Sequence, residues 1–370
     1  MRPLSIVIVI GTRPEAIKLM PVVMAARARP GQFDVKIVRT GQHREVVDQL
    51  MDEFGLSADV NLDVMLPSQD LAHVLAESVR GLSTYLARET PDWVLVQGDT
   101  TTTLAGALAA FYNRARIGHV EAGLRTGYRA SPFPEEANRS LVARLADLHF
   151  APTEAARANL MTEGIAAGDV VMTGNTVVDA LLRTRALIRA SAPSVAAAPP
   201  SRYMLVTAHR RESHGAPLDR ICDAVLTLLE SHPDLTAWVP MHPSPDVRER
   251  LIGRLGGHPR ARLTGPLGYR DFVAALDGAV LVLTDSGGVQ EECAALGKPV
   301  LVMRSMTERA EAVDAGVAVI VGTDADRIVA ASTSILADTE RRARMSRPSN
   351  AFGDGSASER ILEALLTRSP

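Results

Sequence analysis

Leu4-Ser5-Ile6-Val7-Ile8-Val9-Ile10-Gly11-Thr12-Arg13-Pro14-Glu15 and Tyr203-Met204-Leu205-Val206-Thr207-Ala208-His209-Arg210-Arg211-Glu212 are two versions of one construction, a strand-sized apolar run that ends in a cationic turn. After the first come further β-rich runs at Val35–Val38, Trp93–Gln97, Ile117–Val120 and Leu148–Phe150, with helix-period segments such as Leu71–Arg88 and Leu104–Arg114 between them. After the second come Thr236–Val239, Val280–Thr284, Val300–Met303 and Val317–Val321, again separated by helical patterns. This alternation predicts parallel βαβ units, hence an α/β protein with two sheets. Open parallel sheets take ligands outside the carboxyl ends of their strands, so two domains facing across an interdomain cleft would build one site from both.

The stretch from Arg189 to Pro200 is rich in Pro, Ser and Ala and poor in large apolar residues, as linkers are. The expected organisation is an N-terminal domain over 1–188, a linker over 189–200 and a C-terminal domain over 201–350, with 351–370 as a last segment. At 370 residues the chain exceeds the roughly 250–300 at which single cores stop growing, which also favours two domains. With 40 Lys and Arg against 43 Asp and Glu the net charge is −3, so no overall basic field exists to attract nucleic acid or an anionic membrane. Cys222 and Cys293 stand far apart without CxxC spacing, which argues against redox or structural zinc chemistry and fits a reducing, cytoplasmic setting. No apolar run approaches the roughly 18 residues of a membrane span.

Several chemistries recede for want of their motifs. No G-x-G-x-x-G follows a predicted strand, and Gly297-Lys298 runs into Pro299 where a P-loop needs Ser or Thr. There is no H-E-x-x-H, and Ser286 lacks the leading glycine of a nucleophile elbow.

What remains is a set of strand ends. Asp285-Ser286-Gly287-Gly288 closes one strand and opens a helix, where unpaired N–H groups and the helix dipole favour an anion and two glycines allow close approach. Glu292, one to two turns into that helix, could accept both hydroxyls of a ribose. Gly98-Asp99-Thr100 follows the strand Trp93–Gln97, Glu121 ends the neighbouring strand, and Glu135 starts a helix in Pro134-Glu135-Glu136. Each has a plainer reading: Asp99 as an N-cap, Glu121 as a partner of Arg125, Glu135 as a complement to its helix dipole. Three carboxylates on one predicted rim can instead divide acid and base roles without a metal. His209 stands at a strand end with two arginines after it, whereas His73 and His149 read as packing or surface residues. Arg13, Lys18 and Arg309 could add positive charge, and a diphosphate would account for them together.

Gly11-Thr12-Arg13-Pro14-Glu15-Ala16, Gln42-His43-Arg44, Gly98-Asp99-Thr100-Thr101-Thr102, His119-Val120-Glu121-Ala122-Gly123-Leu124-Arg125-Thr126, Pro134-Glu135-Glu136-Ala137-Asn138-Arg139, His209-Arg210-Arg211-Glu212 and Asp285-Ser286-Gly287-Gly288-Val289-Gln290-Glu291-Glu292 form a collinear series. In these the chain resembles the non-hydrolysing bacterial UDP-N-acetylglucosamine 2-epimerases. The resemblance implies the GT-B architecture, two Rossmann-like α/β domains, a homodimer, and a last helix near Ile361–Leu366 that crosses back to the first domain. It implies interconversion of UDP-GlcNAc and UDP-ManNAc through elimination of UDP to a 2-acetamidoglucal, with neither metal nor cofactor. It assigns proton handling to Asp99, Glu121 and Glu135, and support of the departing diphosphate or its proton to His209. It puts Arg13 and Lys18 on the diphosphate and sugar side, and Ser286, Gly287 and Gly288 on phosphate. Glu292 goes to ribose, Leu267 and Phe272 to uracil, and Arg309 to the sugar. Gln42 and His43, with His242, match a place where bacterial members bind a second UDP-GlcNAc as activator.

The chain departs from the family pattern at Ala208 for Gly, Ala310 for Pro, Ser244 for Asn, and Ala351-Phe352 for Pro-Tyr. None of these removes a proposed catalytic group. The competing expectations are a hydrolysing enzyme that releases ManNAc and UDP, an epimerase of a modified UDP-aminosugar, and a UDP-sugar sensor without chemistry. A glycosyltransferase would need an acceptor site for which there is no separate signal.

Overall fold

The computed structural model describes residues 2–41, 44–65, 69–190, 201–208, 210 and 213–368. The chain divides into two compact units, the first running to Ala180 and resuming at Gly353, the second spanning Leu181–Phe352. The helix Thr176–Ala190 carries the chain across the first of these boundaries, and 191–200 lie outside the described residues.

The first unit is built on β1 (Leu4–Ile10), β2 (Phe33–Arg39), β3 (Val60–Asn61), β4 (Trp93–Gln97), β5 (Arg116–Val120), β6 (Leu148–Ala151) and β7 (Val170–Met172). Their spatial order is β3-β2-β1-β4-β5-β6-β7, with every pairing parallel. This is the doubly wound order, whose switch point falls between β1 and β4. Ile6, Ile8 and Ile10 on β1 are wholly buried, as are Val94, Leu95 and Val96 on β4, because helices cover both faces. The last helix, Ala357–Thr367, belongs to this unit: Ile361, Leu362 and Leu365 are wholly buried, and Arg29 pairs with Glu359 and Glu363. Asp179 caps it from afar, accepting from the amides of Ala357 at 3.2 Å and Ser358 at 2.8 Å.

The second unit repeats the plan with β8 (Tyr203–Thr207), β9 (Thr236–Pro240), β10 (Ala261–Thr264), β11 (Leu281–Thr284), β12 (Val300–Val302) and β13 (Ala318–Ile320). The order β10-β9-β8-β11-β12-β13 is again all parallel, and its switch point lies between β8 and β11. Met204, Leu283, Leu301 and Met303 pack with Leu218, Val225 and Leu228 of the helix Ala216–Ser231 on one face. The strand runs read from sequence fall within a residue or two of those observed. β3, β7 and β10 were not anticipated. Among the described residues no helix is long and apolar enough to cross a membrane.

Candidate active site

At the switch point of the first unit the chain leaves β1 through Gly11 and β4 through Gly98. The two loops approach so closely that a Cβ on Gly11 would lie 2.1 Å from Thr102 Oγ1, which only glycine avoids. Glu15, buried in the first turn of the helix Arg13–Arg27, binds the loops together. Its carboxylate accepts from the amides of Gly11 (2.8 Å) and Thr12 (2.5 Å) and from the hydroxyls of Thr100 and Thr103. Burial raises its pKa, and those hydrogen bonds work against the shift.

Asp99 does not cap the helix Thr101–Tyr112: Thr100 does, its hydroxyl accepting from the Thr103 amide at 3.1 Å. Asp99 Oδ2 instead takes Nε of Arg139 at 2.8 Å and its Nη2 at 2.6 Å, while the same guanidinium gives Nη1 to Glu136 at 3.0 Å. On the adjacent strand Glu121 follows β5 directly, with its backbone at φ +61°, a left-handed conformation that non-glycine residues rarely hold without support from their surroundings. Its buried carboxylate receives Lys18 Nζ and, at 2.6 Å, Gln97 Nε2. Arg125 is not its partner. That guanidinium makes a two-pronged pair with Glu163 at 2.6 and 2.9 Å. Glu135 begins the helix Glu135–Leu145, and its Oε2 is buried without a hydrogen-bond partner among the described residues. Glu136 does the structural work of that turn, accepting from the amides of Thr126 (3.1 Å) and Gly127 (3.2 Å).

The second unit bridges its switch point in the same manner. Asp285, buried after β11, accepts at Oδ2 from the Arg210 amide (2.9 Å) and the Ser213 hydroxyl (2.8 Å) on the β8 side. Ser286 holds the N-cap position of the helix Gly287–Leu296 without a side-chain capping bond, an end whose first-turn amides and dipole could receive an anion. A Cβ on Gly287 would lie 2.9 Å from Arg309 Cζ, whereas one on Gly288 would meet nothing within 4 Å. Arg309 is buried, with Nε on Glu291 at 2.8 Å and Nη1 on Glu308 at 3.4 Å; Arg304 joins Glu308 at 3.1 Å. Burial alone would raise the Glu308 pKa, but Arg309 and Arg304 prevail and hold it down at about 2. Arg210 is lowered by burial and then by its arginine neighbours. Further into the helix, buried Glu292 accepts from the Tyr269 hydroxyl at 3.0 Å.

Leu267 and Phe272 are half-buried around the start of the helix Tyr269–Gly278, and Arg13 is half-buried at the first position of its helix. His242 is exposed after β9, its Nδ1 accepting from the Ser244 amide at 3.2 Å. His209, Gln42 and His43 lie outside the described residues. Arg139, Gln97, Tyr269 and Glu308 were not singled out from sequence. Arg139 sat inside the Pro134–Arg139 motif and Glu308 directly before Arg309; Gln97 and Tyr269 carried no signal of their own.

Residues 25–366 match the protein family described as UDP-N-acetylglucosamine 2-epimerase. The UDP-N-acetylglucosamine 2-epimerase of Escherichia coli (strain K12) is 48% identical over 372 residues, covering 98% of this chain and 98% of the relative. Among solved structures, UDP-GlcNAc 2-epimerase from Neisseria meningitidis bound to UDP-GlcNAc superposes with a TM-score of 0.93 at 39% identity, covering 99% of this chain and 100% of that one. The S. aureus MnaA-UDP structure gives a TM-score of 0.90 at 42% identity, covering 99% of each chain. Two Rossmann-like α/β domains of the GT-B class, as expected from sequence, make up this chain.

Proposed function

The chain belongs to the UDP-N-acetylglucosamine 2-epimerase family, and from that premise we propose that it interconverts UDP-GlcNAc and UDP-ManNAc by inverting C2 of the sugar. A base takes the C2 proton as the C1–O bond breaks and its electron pair leaves with UDP, giving 2-acetamidoglucal. UDP then adds back at C1 while a proton is delivered to the other face of C2. One proton leaves and one returns, so neither water nor an oxidant is consumed.

The observation that carries this reading is the pair of carboxylates at adjacent strand ends, Asp99 held by Arg139 and Glu121 held by Lys18 and Gln97. Abstracting a weakly acidic carbon-bound proton needs a base whose geometry is fixed in advance, and delivery to the opposite face needs a second group. Asp99, Glu121 and Glu135 fill these roles in the proposal. Departing diphosphate needs preorganised positive charge. His209, Arg13, Lys18 and Arg309 supply it together with the amides at Ser286, Gly287 and Gly288. Glu292 takes the ribose hydroxyls, and Leu267 with Phe272 the uracil. In the same reading the enzyme works in the cytoplasm as a homodimer, with a second UDP-GlcNAc bound at Gln42, His43 and His242 as activator.

The test is incubation with UDP-GlcNAc in D₂O without added metal, followed by NMR. Deuterium at C2 of both UDP-GlcNAc and UDP-ManNAc is expected, whereas accumulating ManNAc and UDP would select the hydrolysing reaction, and no C2 exchange would overturn the proposal. Sedimentation velocity and the shape of the substrate saturation curve test the dimer and the activator.

A further inference from the structure

We propose that His119, which belongs to neither the carboxylate set nor the substrate-binding set, is the positioning residue that holds Asp99 and Glu121 in register; this rests on the epimerase reading above. The ring is wholly buried in β5, and its Nε2 lies 2.8 Å from the carbonyl oxygen of Gly98. A carbonyl can only accept, so Nε2 carries the proton and the ring is the neutral Nε2–H tautomer. In return the Gly98 amide donates to the Val120 carbonyl at 3.0 Å. These two bonds lace the ends of β4 and β5 together, and the next residue on each chain is one of the two carboxylates: Asp99 after Gly98, Glu121 after Val120.

Both strand exits need such a hold. Gly98 turns at φ +74° and Glu121 at φ +61°, so each chain leaves its strand through a left-handed residue, and the last ladder bond between β4 and β5 is the one from the Gly98 amide to Val120. The remaining nitrogen of the ring sharpens the point. Nδ1 of His119 is buried without a hydrogen-bond partner among the described residues, and so is Nδ1 of His149, its register neighbour on β6. A buried imidazole with one nitrogen unsatisfied is a costly way to fill space that an apolar side chain would fill better. The bond to Gly98 is the interaction that an apolar residue could not make. Burial keeps the ring pKa down at about 3, so the ring stays neutral throughout the range in which carboxylates do acid and base work and brings no charge beside them.

The experiment compares the full-length wild type with His119→Phe, which removes the donor, and His119→Gln, whose amide N–H can still reach the carbonyl. The readouts are kcat, KM for UDP-GlcNAc, C2 deuterium exchange, UDP affinity by calorimetry and the thermal midpoint. His119→Phe is expected to lose kcat and exchange by about 10- to 100-fold with KM and UDP affinity within about threefold, and His119→Gln to recover most of the loss. Wild-type kcat in a folded His119→Phe, or an equal loss in both variants, would overturn the inference. Should His119→Phe fail to fold, His119→Gln is set against the shorter His119→Asn: an active Gln variant beside a slow Asn variant supports it, and equal rates overturn it. A wild type that exchanges no C2 proton would bring down the epimerase reading itself, which separates the two failures.

Discussion

Lys18 and Glu121 form an ion pair almost out of water, with side chains 11% and 5% exposed. Removing one member of such a pair leaves a buried charge without its counterpart, a loss of about 3–5 kcal/mol, while removing both costs far less. Lys18→Met is therefore expected to lower the urea-unfolding free energy by about that amount, and adding Glu121→Gln to restore much of it. The single changes Asp99→Asn and Glu121→Gln are expected to reduce C2 exchange by at least about 100-fold while UDP affinity, measured by calorimetry, stays within a few fold. The placement of these carboxylates could be read from sequence because Glu121 directly follows an apolar strand run and Asp99 follows one after a single glycine. Their partners could not: Arg139 lies 40 residues from Asp99, and Lys18 lies 103 residues from Glu121. Nothing local distinguishes Arg125, four residues after Glu121, from a partner; only the fold sends it to Glu163.

The helix Gly287–Leu296 begins with two glycines that have different surroundings. At Gly287 a methyl group would strike the guanidinium of Arg309, itself clamped by Glu291 and Glu308. At Gly288 it would enter open space. Gly288→Ala is therefore expected to leave the thermal midpoint unchanged or slightly raised, since alanine favours a helix over glycine by roughly 0.5–1 kcal/mol. If the phosphates sit at the first-turn amides as proposed, the same change should weaken UDP binding about tenfold or more by calorimetry, because the methyl group would stand in their way. An unchanged UDP affinity would mean that the phosphates lie elsewhere. At this scale the long strands buried at all or all but one position were legible, as β1, β4 and β8 match the apolar runs to the residue. The strands that escaped were β3, two half-buried residues, β7, three residues, and β10, whose Ala-Arg-Leu-Thr is half-buried throughout. Each sits at a sheet edge, where one flank meets no further strand and the apolar signal thins.

For the whole molecule, the buried histidines set an acid limit. In an unfolded chain a histidine titrates near 6.5, but burial lowers His119 to about 3 and His149 to about 4. Between those values the unfolded chain binds up to about two protons that the native one refuses, so stability falls with pH by up to about 3 kcal/mol per unit. Glu15 and Asp179, raised by burial, act with the opposite sign: their contribution is full at low pH and is lost as pH rises, so they offset part of the decline. Urea midpoints are expected to drop from pH 7 to pH 5, and His149→Phe to cut that slope by roughly half. The two-domain plan was visible in the repeated strand-to-cationic-turn openings, but the first unit's dependence on its distant final segment came from family likeness rather than from any local pattern. That dependence has a consequence for how the protein is made. A ribosome completes residues 181–352, a continuous unit, before it has made the helix Ala357–Thr367 that covers the first sheet. The half synthesised first is thus the half finished last, and during translation its bare apolar flank is what a chaperone would meet.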